Sequence, residues 1–139
     1  MSGGSWEHFH HQADIGVRGI GDSLEEAFAQ GALALSAVVC NVKRIAEADE
    51  VEVACRAADV EVLFVDWLGA VIYEMAMCEM VFGRFEVHID GEKLVGKCWG
   101  ERVDPERHET AVEVKGATYS QLKVEVEDGK YVAQCVVDV

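Results

Sequence analysis

Residues 59–98 have the sequence DVEVLFVDWLGAVIYEMAMCEMVFGRFEVHIDGEKLVGKC, in which the hydrophobic period changes from helical to alternating. Apolar residues recur through 59–80 at helical spacing, and Asp59 is a suitable N-cap, so this part predicts a helix. After Gly83 the apolar positions alternate, and they lead into Asp90-Gly91, a dipeptide typical of a tight hairpin turn. The stretch therefore predicts a helix that is followed directly by a β-hairpin.

The flanking segments predict a mixed first half and an all-β second half. Ser23 and Glu26 form a capping box ahead of another helix with a one-sided apolar stripe. Strands are expected near 6–10, 14–21, 50–55, 111–115, 121–127 and 131–137, the last two joined by a turn at Asp128-Gly129. This order favours an α+β fold over a doubly wound parallel sheet. We expect one compact domain over residues 6–139, with two helices packed on an antiparallel or mixed sheet, after a flexible lead over residues 1–5.

Composition limits the class of partner. The chain has 139 residues, half of them apolar, and a formal net charge of −14 from 12 basic and 26 acidic residues. A protein that binds nucleic acid by itself needs lysines and arginines to neutralise phosphates, so this charge argues against that class. It suits a divalent cation or a basic protein partner, although many acidic proteins have neither.

The cysteines and the apolar helix indicate the compartment. Five scattered cysteines without a Cys-x-x-Cys pair predict reduced thiols in a cytoplasmic protein, and no secretory signal opens the chain. The helix over 59–80 is interrupted by Glu61, Asp66 and Glu74, which argues against a membrane span. Familiar catalytic motifs, such as a phosphate-binding loop, a serine elbow or a zinc spacing, are absent from the sequence, which lowers the expectation of an enzyme of a familiar class.

Carboxylates stand at two distant places beside apolar strand residues. Asp14 lies between Ala13 and Ile15, and Asp138 precedes Val139, whose α-carboxyl group would be a third anion. If the fold brings these places together, each like-charge pair about 4 Å apart costs about 4 kcal/mol at an effective dielectric near 20. Such a cluster takes up a proton or a cation, and calcium or magnesium suits oxygen ligands. Considered alone, Asp14 is better explained by capping of a turn.

Two further groups of polar residues have a functional and a simpler interpretation. His8 and His10 share one face of the first strand and could hold a metal, but exposed histidines beside acidic residues are the simpler interpretation. Asp104, Arg107 and His108 surround the only proline, either as a loop that contacts a partner or as a solvated turn with local ion pairs.

The chain resembles the archease family, the small accessory proteins of the tRNA-splicing ligase system. The resemblance extends from about His8 to Val139. The stretches that carry it are His11-Gln-Ala-Asp14-Ile-Gly16, Ser23-Leu-Glu-Glu-Ala-Phe28, Val65-Asp66-Trp67-Leu68 with Tyr73, Asp104-Pro-Glu-Arg-His108, Lys115-Gly-Ala-Thr-Tyr119 and the final Val-Val-Asp138-Val139. Each stretch is weak alone, and their order and spacing together make the match specific.

The resemblance implies a function and a site. It implies a compact domain with a strand-helix-strand-strand unit that is not itself an enzyme. Such a protein promotes guanylylation of the RNA ligase by GTP and restores multiple turnover. It also implies a Ca²⁺ site at Asp14, Asp138 and Val139, with Mg²⁺ or Mn²⁺ fitting less well. His11, Asp104, Arg107 and His108 are then candidates for partner contact or for the outer surroundings of the metal.

Two other classes of function remain open from the sequence. The first is a stand-alone metal-dependent hydrolase that uses Asp14, His11 and Asp138, which would need a positioned base and a substrate pocket. The second is a general protein chaperone, which would need a broad exposed apolar patch.

Overall fold

The computed structural model describes residues 4–139 and contains three helices and two β-sheets in that range. The elements in chain order are β1 (Ser5–His11), β2 (Asp14–Gly21), α1 (Leu24–Val39), a 3-10 turn (Val42–Arg44), β3 (Asp49–Arg56), α2 (Val60–Cys78), β4 (Met80–Asp90), β5 (Lys93–Arg102), α3 (Pro105–His108), β6 (Gly116–Ala117), β7 (Lys123–Glu127) and β8 (Lys130–Asp138). The α+β class predicted from the sequence is confirmed.

Both sheets are antiparallel. The larger has the strand order β1-β2-β8-β6, with β7 also paired to β8, and the smaller has the order β3-β5-β4. The smaller sheet and α2 form the strand-helix-strand-strand unit, because β3 precedes α2 and the β4–β5 hairpin follows it. β8 is central in the larger sheet and is buried from Val132 to Val137, so it fixes the positions of the strands around it.

One hydrophobic core joins the two sheets and the two long helices. Trp67 of α2 is fully buried, and its indole Nε1 donates a hydrogen bond of 2.9 Å to the carbonyl oxygen of Phe28 in α1. The ring of Phe28 packs edge-on against Phe64 at a centroid distance of 5.0 Å. These contacts satisfy the polar edge of the indole inside an apolar core and hold the two helices together.

Local signals in the sequence placed most element ends correctly. Glu26 N–H donates to Ser23 Oγ over 3.1 Å at the start of α1, and Glu26 Oε1 accepts from the Asp22 backbone rather than from Ser23. Asp59 caps α2 by accepting from two backbone N–H groups. The predicted turns at Asp90-Gly91 and Asp128-Gly129 join β4 to β5 and β7 to β8.

Three features differ from the sequence-based expectation. Residues 111–115 form no strand, and the short strand β6 begins instead at Gly116. A third helix, α3, occupies one turn after Asp104, and the strands divide between two sheets rather than joining one. Pairing with a partner strand decides where strands form and how they divide between sheets, and alternation within one segment does not reveal it. The helix α3 instead begins at the Asp104 cap, with Pro105 as its first residue. Of the predicted lead, residues 1–3 lie outside the described residues, and β1 already includes Ser5.

No helix within residues 4–139 has both the length and the hydropathy that a bilayer crossing requires. The five cysteines are unbridged, as the sequence predicts. Burial raises the pKa of the Cys98 and Cys135 thiols to about 12, so these two groups stay protonated and unreactive in the core.

Candidate functional site at the ends of strands β2 and β8

The two-residue turn between β1 and β2 brings His11 opposite Asp14, and these two residues form one side of the candidate site. These residues form the last register pair of the β1–β2 hairpin, and Gln12 in the turn has a φ of 55°. The hairpin packs tightly because the Phe9 ring lies over Gly16. A Cβ atom at position 16 would be 2.2 Å from Phe9 Cζ, so only glycine leaves room for the ring.

The pairing of β2 with β8 joins the two carboxylate-bearing places in the sequence. Ile15 pairs with Val137, and continuing this antiparallel register by one residue places Asp14 across from Asp138. The backbone N–H of Val139 donates to Asp14 Oδ1 over 3.4 Å. The sequence-based expectation that Asp14 lies beside the final two residues is therefore met by the fold.

A third segment reaches the same place from the other side of β8. Gly116 of β6 pairs with Asp138, and the backbone N–H of Lys115 donates to the Asp138 carbonyl oxygen over 2.8 Å. This role of residues 115–116 could not be predicted, because a two-residue strand has no periodic signal. Asp138 is thus held by backbone pairing while its side chain is exposed.

His11, Asp14 and Asp138 lie on one face of the sheet. Directly paired residues in antiparallel strands project to the same side, and successive residues project to opposite sides. The neighbouring pair, Ile15 and Val137, packs on the opposite side against the hydrophobic core. The polar face therefore carries two carboxylates and an imidazole at its edge, with Asp14 half-buried and Asp138 exposed.

The two carboxylates have no cationic side chain as a partner within residues 4–139. The nearest basic residue along β2, Arg18, pairs with Glu7 and donates a 2.8 Å hydrogen bond from Nε to Gln134 Oε1. Arg18 is therefore engaged elsewhere on this face and does not neutralise Asp14. The edge of the sheet carries negative charge that a cation from outside the chain could balance.

The oxygen ligands at this edge match the chemistry of a hard cation, but they are few. No group of three or more His, Cys, Asp or Glu side chains in the described part of the chain could hold a metal ion. Asp14 and Asp138, with backbone oxygens of Val139, supply fewer ligands than the about six to eight that calcium takes. Water or another protein would have to supply the rest.

The predicted contact residues Asp104, Arg107 and His108 form a separate cluster. Asp104 caps α3, with Oδ1 accepting from the backbone N–H groups of Glu106 and Arg107 at 3.2 and 3.3 Å. The fully buried His108 ring accepts the Asp104 backbone N–H at Nδ1 over 2.9 Å. Its Nε2 then carries the proton and donates to Glu101 Oε2 over 2.8 Å.

Glu101 is the centre of this cluster and was not predicted from the sequence. Arg107 Nη2 lies 2.7 Å from Glu101 Oε1, and the backbone N–H of Ala46 donates to Oε2 over 2.8 Å. The Arg107 side chain, the Ala46 N–H and His108 together lower the pKa of Glu101 from 4.5 to about 2. These contacts brace the loop after β5, so a structural role explains the three predicted residues, and their contact with a partner stays a prediction.

The two histidines of β1 that could have held a metal, His8 and His10, have different surroundings. His8 Nε2 donates to the carbonyl oxygen of Ala34 in α1 over 2.7 Å, whereas His10 is exposed. His8 therefore attaches the edge strand to a helix. This contact favours the simpler interpretation of the histidine cluster over metal binding.

Comparison with known proteins places this geometry in a family. The model of the archease protein family (MTH1598/TM1083) matches residues 6–139. The chain belongs to the archease family. Protein archease from Pyrococcus furiosus is 44% identical over 139 aligned positions, and the match covers 96% of this chain and 98% of the relative. Protein archease from Sulfolobus acidocaldarius is 38% identical over 136 residues, with the same coverage.

Solved structures show the same fold. The solution structure of Methanobacterium thermoautotrophicum protein 1598 has a TM-score of 0.84 and 30% identity, and covers 97% of this chain and 99% of its own. A Thermotoga maritima structure, described as an archease and possible chaperone, has a TM-score of 0.63 at 22% identity, with 96% of each chain covered. The second similarity concerns the archease fold alone.

Proposed function

We propose that this chain is a non-catalytic activator of the tRNA-splicing RNA ligase. It promotes guanylylation of the ligase by GTP and multiple turnover during tRNA splicing and RNA repair. Membership of the archease family supports this function. The single structural observation that carries it is the pairing of β2 with β8. This pairing brings Asp14 and Asp138 to one face, where neither has a basic partner in the part of the chain that the structure describes.

In this proposal, Asp14, Asp138 and backbone oxygens of Val139 hold one divalent cation at the edge of the larger sheet. Calcium fits best, because it accepts carboxylates and backbone oxygens in irregular geometry, whereas Mg²⁺ demands near-octahedral coordination. Mn²⁺ is also a poorer candidate here. When bound, the cation supplies positive charge that can offset charge on phosphate groups.

The residues of this chain then hold the cation in a position that faces the ligase. Asp138 is exposed and fixed through its backbone by two strands, so its carboxylate faces outward in a defined position. Asp14 is oriented by the Val139 N–H. His11, on the same face, would contact the partner or orient water around the cation. The five unbridged thiols agree with a cytoplasmic site of action.

The decisive experiment measures guanylylation of purified ligase by GTP, and RNA joining over several turnovers, with and without this chain. Asp138→Asn should remove stimulation while the fold is retained, because it deletes one anionic ligand at constant shape. Asp90→Asn, at the exposed β4–β5 turn, is the matched control and should stimulate like the wild type. Unchanged stimulation by Asp138→Asn would reject the site, and lack of stimulation by the wild type would reject the function.

A general chaperone is the second candidate, because large apolar side chains are exposed. Tyr73 is 59% exposed, Met77 65% and Tyr119 64%. A chaperone would suppress aggregation of unrelated unfolded proteins at stoichiometric amounts, whereas a dedicated activator would act on the ligase alone. The stand-alone hydrolase, built on His11, Asp14 and Asp138, is tested in parallel by phosphoester hydrolysis with Ca²⁺, Mg²⁺ or Mn²⁺.

A further inference from the structure

A long groove follows one side of α2. It consists of two adjoining cavities of about 520 and 560 Å³. Both are lined by Ile72 and Ala76 of α2 and by Glu113 and Val114 of the opposite wall. Because the lining is shared, the two cavities form one continuous surface, which we name the α2 groove.

The α2 groove exposes apolar side chains that the core does not use. Tyr73 lines it from the helix and is 59% exposed, and Val112 lines it from the opposite wall and is 42% exposed. Single exposed apolar residues are ordinary, but a contiguous apolar surface within a concave site marks a place of interaction.

The wall opposite α2 has a backbone that is available for pairing. The segment is fixed at both ends, where Ala111 N–H donates to the Val39 carbonyl oxygen and Lys115 N–H donates to that of Asp138, each over 2.8 Å. Between these ends, the backbone groups of residues 112–114 make no hydrogen bond to any part of residues 4–139. Free N–H and C=O groups on a tethered segment are what an added strand of another protein uses.

The charge at the groove selects the kind of segment that fits. Glu79, Glu113 and Lys115 line it. Glu79 pairs with Arg102 at 3.2 Å, whereas Glu113 and Lys115 have no ion-pair partner within the described residues. The whole chain has a net charge of −14. A lysine or arginine beside Glu113 would be complementary, and a second copy of this acidic chain would be repelled.

The groove also leads to the carboxylate site. The same segment that forms its wall continues into Lys115 and Gly116, which bond to Asp138. A protein held in the groove would therefore have its neighbouring surface beside Asp14 and Asp138. This continuity links a surface that supplies binding area to a site that supplies charge.

We propose that the α2 groove binds a short extended segment of the ligase, and this assignment rests on the function proposed above. The segment places apolar side chains against Tyr73 and Val112 and pairs its backbone with residues 112–114. It carries a lysine or arginine next to Glu113. The groove provides affinity, and the carboxylate site provides stimulation.

The test separates affinity from stimulation with the full-length chain and purified ligase. We compare Tyr73→Ala/Val112→Ser and Glu113→Lys with two matched controls, Val126→Ser on β7 and Glu92→Lys at the β4–β5 turn. All these positions are exposed, so the folded state should persist, which thermal unfolding checks. The groove variants should raise the Kd for the ligase by about tenfold or more, as loss of an interface anchor does. Full stimulation should return at saturating chain, and the controls should match the wild type.

Each other result overturns the assignment. If the wild type stimulates the ligase but neither groove variant changes the Kd for the ligase, the groove is not the binding site. The proposed function is then unaffected. Absence of ligase binding by the wild type removes both. If sedimentation shows a wild-type dimer that the groove variants convert to monomer, a second copy occupies the groove. If the groove variants fail to stimulate the ligase even at saturating concentration, the groove does more than supply binding affinity, and the assignment is wrong.

Discussion

The backbone N–H of Val139 donates to Asp14 Oδ1 across a sequence separation of 125 positions. This contact exists because β2 and β8 are neighbours in the larger sheet, so it depends on the pairing of distant strands and not on any local motif. It joins the start of β2 to the end of β8, where neither Asp14 nor Asp138 has a basic partner within residues 4–139. Several expected outcomes depend on this relationship and on the cluster around Glu101.

Calcium should stabilise the folded chain. A cation that binds only the folded state adds about 2.7 kcal/mol at a concentration about 100 times its Kd. We therefore expect calcium to raise the Tm of the wild type and of Asp90→Asn, and not that of Asp14→Asn/Asp138→Asn. Differential scanning calorimetry with calcium or chelator measures this, and an equal rise in the double variant would place the cation elsewhere.

Replacement of His108 by alanine should be strongly destabilising. The ring is fully buried and bonds the Asp104 N–H and Glu101, so its removal leaves a cavity and unpaired polar groups. We expect the free energy of unfolding to fall by about 3 kcal/mol. Urea denaturation measures this, with the exposed His88→Ala as a control that should change it by less than about 0.5 kcal/mol. A small effect at His108 would show that the loop after β5 carries little stability.

Glu101 should produce a specific pH dependence of stability. Its pKa falls from 4.5 to about 2 in the folded chain through Arg107, Ala46 and His108. A lowered carboxyl pKa contributes stability that is complete above pH 4.5 and is lost as the pH falls towards 2. Glu101→Gln should therefore be less stable than the wild type at pH 6, and the difference should shrink between pH 4.5 and 2. Chemical denaturation across this range checks it, and a constant difference would contradict the pairing.

Two glycine substitutions should change the free energy of unfolding in opposite directions. A Cβ atom at Gly69 of α2 meets nothing within 4 Å, so Gly69→Ala should raise the free energy of unfolding by about 1 kcal/mol through helix propensity. A Cβ atom at Gly19 would be 2.0 Å from the Ala27 carbonyl oxygen, where β2 runs against the backbone of α1. Gly19→Ala should lower stability well beyond the gain at Gly69. Equilibrium denaturation of both variants measures this, and equal effects would contradict the close approach of β2 and α1.

The sequence allowed accurate prediction of the two long helices and of the hairpin turns, whose signals are local. The Asp59 cap, the Ser23–Glu26 capping bond and the Asp90-Gly91 turn each depend on residues within a few positions of one another. Prediction was wrong at residues 111–115, where the alternation is strand-like but no strand forms. These residues line the α2 groove instead, so the misplaced strand is the groove wall.

The proximity of Asp14 to the last two residues was predicted, whereas their binding of a cation stays a prediction. The resemblance and the residues gave Asp14 and Asp138, and the fold brings them to one face with His11. Glu101 was missed because its partners come from separate segments, at Ala46 and in the loop after Asp104. No spacing within the sequence could have linked them.

By itself, the sequence determined the positions of the two long helices, the hairpin turns, the α+β class and the acidic charge, since hydrophobic period, caps and composition act over short range. Tertiary structure alone decided the division into two sheets, the contact between Val139 and Asp14, and the bracing of Glu101. These features require segments that are distant in the sequence to come together, which costs chain entropy. The burial of β8 among its neighbouring strands offsets that cost.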